Sequence, residues 1–221
     1  MVARATRDLR PGTELTWWYQ VPSAAPANNY TQRQKKLRQS WGFVCDCAMC
    51  ADEKGTSAAV LGKRRGLVVG LERFVVASLG SGGHKGDDAV VDRAETAVKA
   101  MAATYSRPAS EVPRLAIWEV MQTVLGKVLA MGQVQPLWMV RLILPAFESL
   151  GYVIEGGMGG TIVVRQWGLL VDGVVECWMF LRDAYRQMAP ELVAHAEVYA
   201  KTAYRMVFDE DETFETFGDA I

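Results

Sequence analysis

Half of the 221 residues are apolar, and 24 Lys/Arg nearly balance 25 Asp/Glu, which excludes a disordered polyelectrolyte and allows one or two domains with a buried core. No basic segment followed by an apolar one opens the chain, and its uncharged runs are broken by Gln, Gly and Pro before ~18 apolar residues accumulate, so neither a secretory leader nor a membrane span is expected. The sequence reads as that of an intracellular, soluble protein, nuclear or cytoplasmic, and no membrane partner is expected. Charge is unevenly spread: residues 1–73 carry 12 Lys/Arg against 6 Asp/Glu, and residues 74–221 carry 12 against 19. The basic residues gather at Arg33–Arg38 and Lys63–Arg65, where solvated helix faces account for them better than a nucleic-acid site does.

In chain order, Val2–Tyr19 reads as two short strands about a type II turn, with Pro11 and Gly12 at its central positions and Leu15–Tyr19 as a β-favouring run. Two strands cannot close a sheet, so the chain is expected to begin in mid-domain. Val21–Asn29 reads as a loop, Tyr30–Ser40 as a short basic helix capped by Asn29 or Thr31, and Asp52–Ser57 as a polar linker. From Ala58 on, apolar residues recur at helical spacing. Leu67, Leu71, Phe74 and Val75 form one stripe, ended by Gly80–Gly83, and Val90, Ala94, Ala97, Val98 and Met101 a second, begun near Asp87. Leu115, Trp118, Met121, Leu125 and Leu129 form a third, and Leu137, Val140, Leu144 and Phe147 a fourth, kinked at Pro145. The last two, with Gly126 and Gly132 expected at tight contacts, resemble a tetratricopeptide unit. Gly156–Gly160 is expected to be a flexible connection, and two further helices are expected at Ile162–Met188 and Glu191–Phe208. Their Trp167, Trp178, Tyr185, Tyr199 and Tyr204 fit a core better than a ligand cage, Cys177 reads as a small buried hydrophobe, and Asp209–Glu212 as a solvated helix end.

Three of the four cysteines fall within six positions, in Trp41-Gly-Phe-Val-Cys-Asp-Cys-Ala-Met-Cys50. The spacing C-x-C-x-x-C lets a tight turn aim three thiolates at one point, so Cys45, Cys47 and Cys50 are candidate zinc ligands. A disulfide or an iron–sulfur cluster fits less well, in a chain of intracellular character with no fourth cysteine nearby. Cys177, His84 and His195 lack ligand spacing to the cluster.

Trp-Gly-Phe-x-Cys-x-Cys-x-x-Cys, preceded by Arg33–Arg38 and by Gly12-Thr-Glu-Leu-Thr-Trp-Trp-Tyr19, resembles the end of a SET domain and its post-SET zinc motif. The likeness is to SET/MYND-type protein-lysine methyltransferases, particularly fungal SET proteins with a TPR-like helical C-terminal region. Trp178-x-x-Leu-Arg-Asp-Ala-Tyr185, the Ala/Tyr pattern of 196–204 and Asp209–Phe214 extend it nearly end to end. The resemblance implies a tyrosine lining the lysine channel at Tyr19, an aromatic against the adenine of S-adenosylmethionine at Phe43, and a position near the channel for Trp41. Thr13, where an acidic residue usually follows the glycine, and Trp17-Trp18 depart from the family pattern. The Gly-rich donor loop, the Asn-His-Ser-Cys-like segment that normally supplies the fourth zinc ligand, and the MYND module are not in these residues.

The expected fold is therefore mainly α: a short β remnant of a SET domain (1–40, with its connecting helix), a post-SET cysteine motif (41–57), and an antiparallel TPR-like helical array (58–221). The expected function is that of the C-terminal part of a SET-type lysine methyltransferase, inactive as this chain alone. Zinc is its expected cofactor, S-adenosylmethionine is expected only together with the absent SET core, and a histone or other lysine-bearing protein is the expected substrate. The alternative is a non-catalytic helical module on a zinc-stabilised stem, with a protein partner in its groove.

Overall fold

The alternation of apolar and polar residues at three- and four-residue intervals produces a chain of helices in the computed structural model, which describes residues 9–12, 19, 29–79, 87–130, 132, 134–208 and 213–218. Of the expected strand pair over Val2–Tyr19, only Leu9–Gly12 and Tyr19 are among these. Gly12, at φ +83°, has the left-handed backbone that the third position of a type II turn requires. Val21–Asn28, Gly80–Gly83, His84 and Asp209–Glu212 lie outside the described residues.

Helix α1 (Tyr30–Trp41) starts where the Asn29 side chain accepts the Gln32 N–H at 3.1 Å, and ends where Gly42, at φ +74°, donates back to the Arg38 carbonyl. The left-handed glycine turns the chain toward the cysteines. Helix α2 (Ala48–Gly55) follows and packs on α1.

The four stripes from Ala58 become α3 (Ala58–Leu79), α4 (Asp87–Ala102), α5 (Leu115–Ala130) and α6 (Pro136–Ser149), the last two within two residues of their apolar limits. Helix α6 continues through Pro145 to Ser149. Arg141 of α6 ties it to α4 by ion pairs to Glu95 (2.8 Å) and Asp92 (2.6 Å), and Trp138 Nε1 donates to Asp88 (2.7 Å). The glycines expected at tight contacts are not there: a Cβ on Gly126 or Gly132 would meet open space. Gly132 instead serves a turn, at φ +73°.

A second departure follows. Residues 162–188 are not one helix. Ile162–Gln166 is strand β2, antiparallel to β1 (Val153–Gly156), with Gly156–Gly160 as the connection. β-branched residues concentrate on the two arms, where the pleated backbone suits them. A Cβ on Gly156 would stand 2.0 Å from the Thr161 carbonyl oxygen, so this turn demands glycine rather than flexibility. Tyr185 donates to the Gly157 carbonyl (2.7 Å) and Tyr199 accepts from the Val164 N–H (3.2 Å), which pins the hairpin to the last two long helices. These are α7 (Val174–Met188) and α8 (Val193–Phe208), the latter entered through a short 3-10 turn at Pro190–Leu192, and a final short helix, α9 (Phe214–Gly218), follows.

The buried core extends from Leu71 to Phe214. Phe147 stacks on Trp178 at 4.5 Å, and Tyr152, Trp167 and Tyr199 surround them. Trp178 and Tyr185 are fully buried, as core rather than a cage. The fold is mainly α, as the periodicity predicts, and no helix among the described residues is long and apolar enough to cross a membrane.

Candidate metal centre and aromatic site

The turn after α1 brings together all three cysteines of the sequence cluster. The sulfurs of Cys45, Cys47 and Cys50 lie within 4.8 Å of one another. Sulfurs sharing a tetrahedral Zn2+ at ~2.3 Å stand about 3.8 Å apart, so small side-chain adjustments would close this set around one ion. Cys50, at the start of α2, is buried, Cys45 half-buried and Cys47 exposed. Among the described residues, no His, Asp, Glu or further Cys joins the group.

The electrostatics point the same way. Burial, and then the neighbouring sulfurs of Cys47 and Cys45, push the Cys50 thiol up to about 12. Three thiolates cannot share this space on their own, and a divalent cation at their focus reverses the penalty by favouring the ionised sulfurs. The donor set therefore fits zinc, held by Cys45, Cys47 and Cys50 with a fourth position left for another ligand.

Helix α1 turns a buried face, Arg33, Gln34 and Leu37, toward this motif. Arg33 pairs with Glu53 of α2, whose other carboxylate oxygen accepts the Tyr30 N–H at 2.8 Å. Burial disfavours the Arg33 charge, but Glu53 and the Cys50 sulfur outweigh it and raise Arg33 further above its ordinary value. Gln34 makes two hydrogen bonds to the Cys45 backbone: its Nε2 donates to the carbonyl (2.8 Å) and its Oε1 accepts from the N–H (2.9 Å). Sequence spacing misses Gln34 and Glu53, which lie 11 and 20 residues from their partners.

The three aromatic candidates also converge. The Tyr19 ring lies edge-on to both Trp41 and Phe43, at 5.0 Å in each case with interplanar angles of 62° and 66°. Such contacts add ~0.5–1.5 kcal/mol beyond the area they bury. Tyr19 and Trp41 are 49% and 60% exposed, whereas Phe43 is half-buried. An exposed aromatic set next to the cysteine cluster forms a wall that can stack on a planar or alkyl group.

No protein-family model matches the chain. Over 219 residues, 96% of the chain, it is 32% identical to a protein of Gibberella zeae named a methyltransferase, covering 28% of that protein. Over 49 residues, 22% of the chain, it is 45% identical to the histone-lysine N-methyltransferase SET5 of Scheffersomyces stipitis and 47% identical to that of Meyerozyma guilliermondii, covering 9% of each. The chain thus spans less than a third of the length of these curated relatives.

Proposed function

We propose that the chain is the C-terminal part of a SET-type protein-lysine methyltransferase. The observation that carries this reading is the convergence of Tyr19 on Trp41 and Phe43 beside the three-cysteine cluster, and the nearly full-length likeness to a protein named a methyltransferase supports it. Residues 1–40 would end the SET domain, 41–57 form the post-SET motif and 58–221 the TPR-like domain. S-adenosylmethionine supplies an electrophilic methyl group to such an enzyme. The residues present orient what it reacts with: the Tyr19 hydroxyl accepts a hydrogen bond from the neutral lysine amine and so directs its lone pair, Trp41 flanks the alkyl chain and keeps water away, and Phe43 offers a face to the adenine. Alignment of this kind, rather than acid or base strength, is what amine methylation requires of a protein. Zinc on Cys45, Cys47 and Cys50 would hold the loop that carries Phe43. The proposed substrate is a histone or another lysine-bearing protein of the nucleus or cytoplasm.

A second reading is a non-catalytic helical module on a zinc-stabilised stem, favoured by a core whose described residues run from Leu71 onward. The deciding experiment is methylation of a histone substrate with labelled donor by the parent protein, carrying the chain together with its upstream SET segment. Activity that falls in Tyr19→Phe while zinc content is unchanged supports the enzyme reading. An inactive parent, or full activity in Tyr19→Phe, refutes the catalytic role of Tyr19 and the channel built around it.

A further inference from the structure

We infer that Gln34 is the positioning residue of the metal loop, holding Cys45 in place through its backbone; this rests on the zinc reading of the three cysteines. A carboxamide carries an acceptor oxygen and a donor nitrogen side by side, and both are matched to a single residue, accepting the Cys45 N–H at 2.9 Å and donating to the Cys45 carbonyl at 2.8 Å. The pairing imitates one rung of a β-ladder across an 11-residue separation. Gln34 is 8% exposed and sits in the middle of α1, so the anchor is a helix and not another loop. Gly42 turns the chain back over that helix, and Gln34 then sets where the returning segment stops. With its N–H and carbonyl both fixed, Cys45 has only its side-chain torsion left to adjust toward Cys47 and Cys50. Removing a group that orients a metal ligand without touching the metal typically costs about 10–100-fold in affinity.

The test uses the whole 221-residue chain loaded with zinc, and titrates it against a chromophoric chelator. Gln34→Ala removes both bonds; Gln34→Glu keeps length and the acceptor for the Cys45 N–H but sets a carboxylate oxygen against the Cys45 carbonyl. Both variants should bind zinc about 10–100-fold more weakly, and Cys45 amide exchange should quicken in Gln34→Ala while helix content and the thermal transition stay unchanged. Lys36→Ala, on the exposed face of α1, should bind as the parent chain does. Wild-type chain that binds no zinc refutes the metal reading and this inference with it. Zinc bound by the wild type, with both Gln34 variants within twofold, overturns the role of Gln34 alone. An equal loss in Lys36→Ala also overturns it, since any weakening of α1 would then suffice.

Discussion

Arg64 Nη1 stands 2.9 Å from Asp52 Oδ2, and the two side chains are only 9% and 10% exposed. Asp52 belongs to α2, at the end of the cysteine stem, and Arg64 to α3, the first helix of the array. The guanidinium also donates from Nε and Nη2 to the hydroxyl and carbonyl of Thr104 (2.9 and 3.0 Å), and lies 3.5 Å over the Tyr105 ring. One buried cation therefore joins the stem to the turn after α4. A buried ion pair is weak evidence for stability in itself, because desolvation offsets attraction, but removing one partner strands the other.

Asp52→Ala should accordingly cost ~3 kcal/mol, the low end of the range for breaking a buried pair, because Thr104 and Tyr105 still satisfy part of Arg64. Replacing both, as Asp52→Leu with Arg64→Met, should recover most of the loss. Denaturant unfolding of the wild type, Asp52→Ala and the double variant measures both effects, and a change under about 0.5 kcal/mol in Asp52→Ala would show the bridge to be dispensable. Removing residues 1–57 should still leave a cooperatively melting helical unit, since the core begins at Leu71. Its melting temperature should fall by about 6–12 °C, the equivalent of ~3 kcal/mol in a domain of this size. A truncation without a cooperative transition would show that the core depends on the stem.

Alkaline stability should report Cys177. Burial pushes this thiol up to about 12 from an ordinary 9.0, although the Gln122 side chain donating to its sulfur at 3.3 Å pulls the other way. Below about pH 9 folded and unfolded chains both hold the proton. Above it the unfolded chain releases the proton while the native state keeps it, so stability falls by about 1.4 kcal/mol per pH unit until the native thiol ionises. Burial raises Tyr152 and Tyr185 as well, adding to the slope above their ordinary value of 10.0. Denaturant unfolding at about pH 8 to 11 should show a shallower decline in Cys177→Ala than in the wild type, by about one proton. Equal slopes would mean that this thiol is not the group responsible.

Helices α3 to α6 each keep one apolar stripe, so Leu71, Val90, Met121 and Phe147 can be placed in the core from spacing alone. The hairpin is harder to read because Ile162–Val164 is a short apolar run with no period of its own, easily taken as the start of the helix after it, although glycines between two β-branched arms are a hairpin signal. The cysteine cluster is legible because its three thiols are local. Arg64 with Thr104, and Gln34 with Cys45, are not: each pairing exists only once the helices pack, and an Arg or Gln on a helix looks alike whether it faces solvent or a neighbour.

Zinc should bind the purified chain and leave it when Cys47 is lost. Two thiolates cannot replace the charge and geometry of three, so metal analysis of Cys47→Ser should show clear depletion beside the wild type. A chelator should disturb α1 and α2 and spare the near-ultraviolet signal of Trp178, buried in a core to which no described stem residue contributes. Equal zinc in both proteins would end the metal proposal.

The 221 residues alone should neither methylate lysine nor hold S-adenosylmethionine tightly. Near-attack alignment of donor and amine can contribute ~7–11 kcal/mol to such a reaction, and it needs both walls of the channel. In the proposed channel Tyr19, Trp41 and Phe43 would form one wall, and Tyr19 and Trp41 are 49% and 60% open to solvent. A stacking face at Phe43 offers ~0.5–1.5 kcal/mol, against ~8 kcal/mol for micromolar binding. Calorimetric titration of the zinc-loaded chain with S-adenosylmethionine should therefore show no saturable heat at micromolar concentrations. Restoring the proposed upstream SET segment should produce binding that Phe43→Ala weakens, by roughly 2–12-fold if stacking is its contribution. Micromolar binding by the isolated chain would show that the donor site lies within these residues and that the aromatic wall has been misassigned.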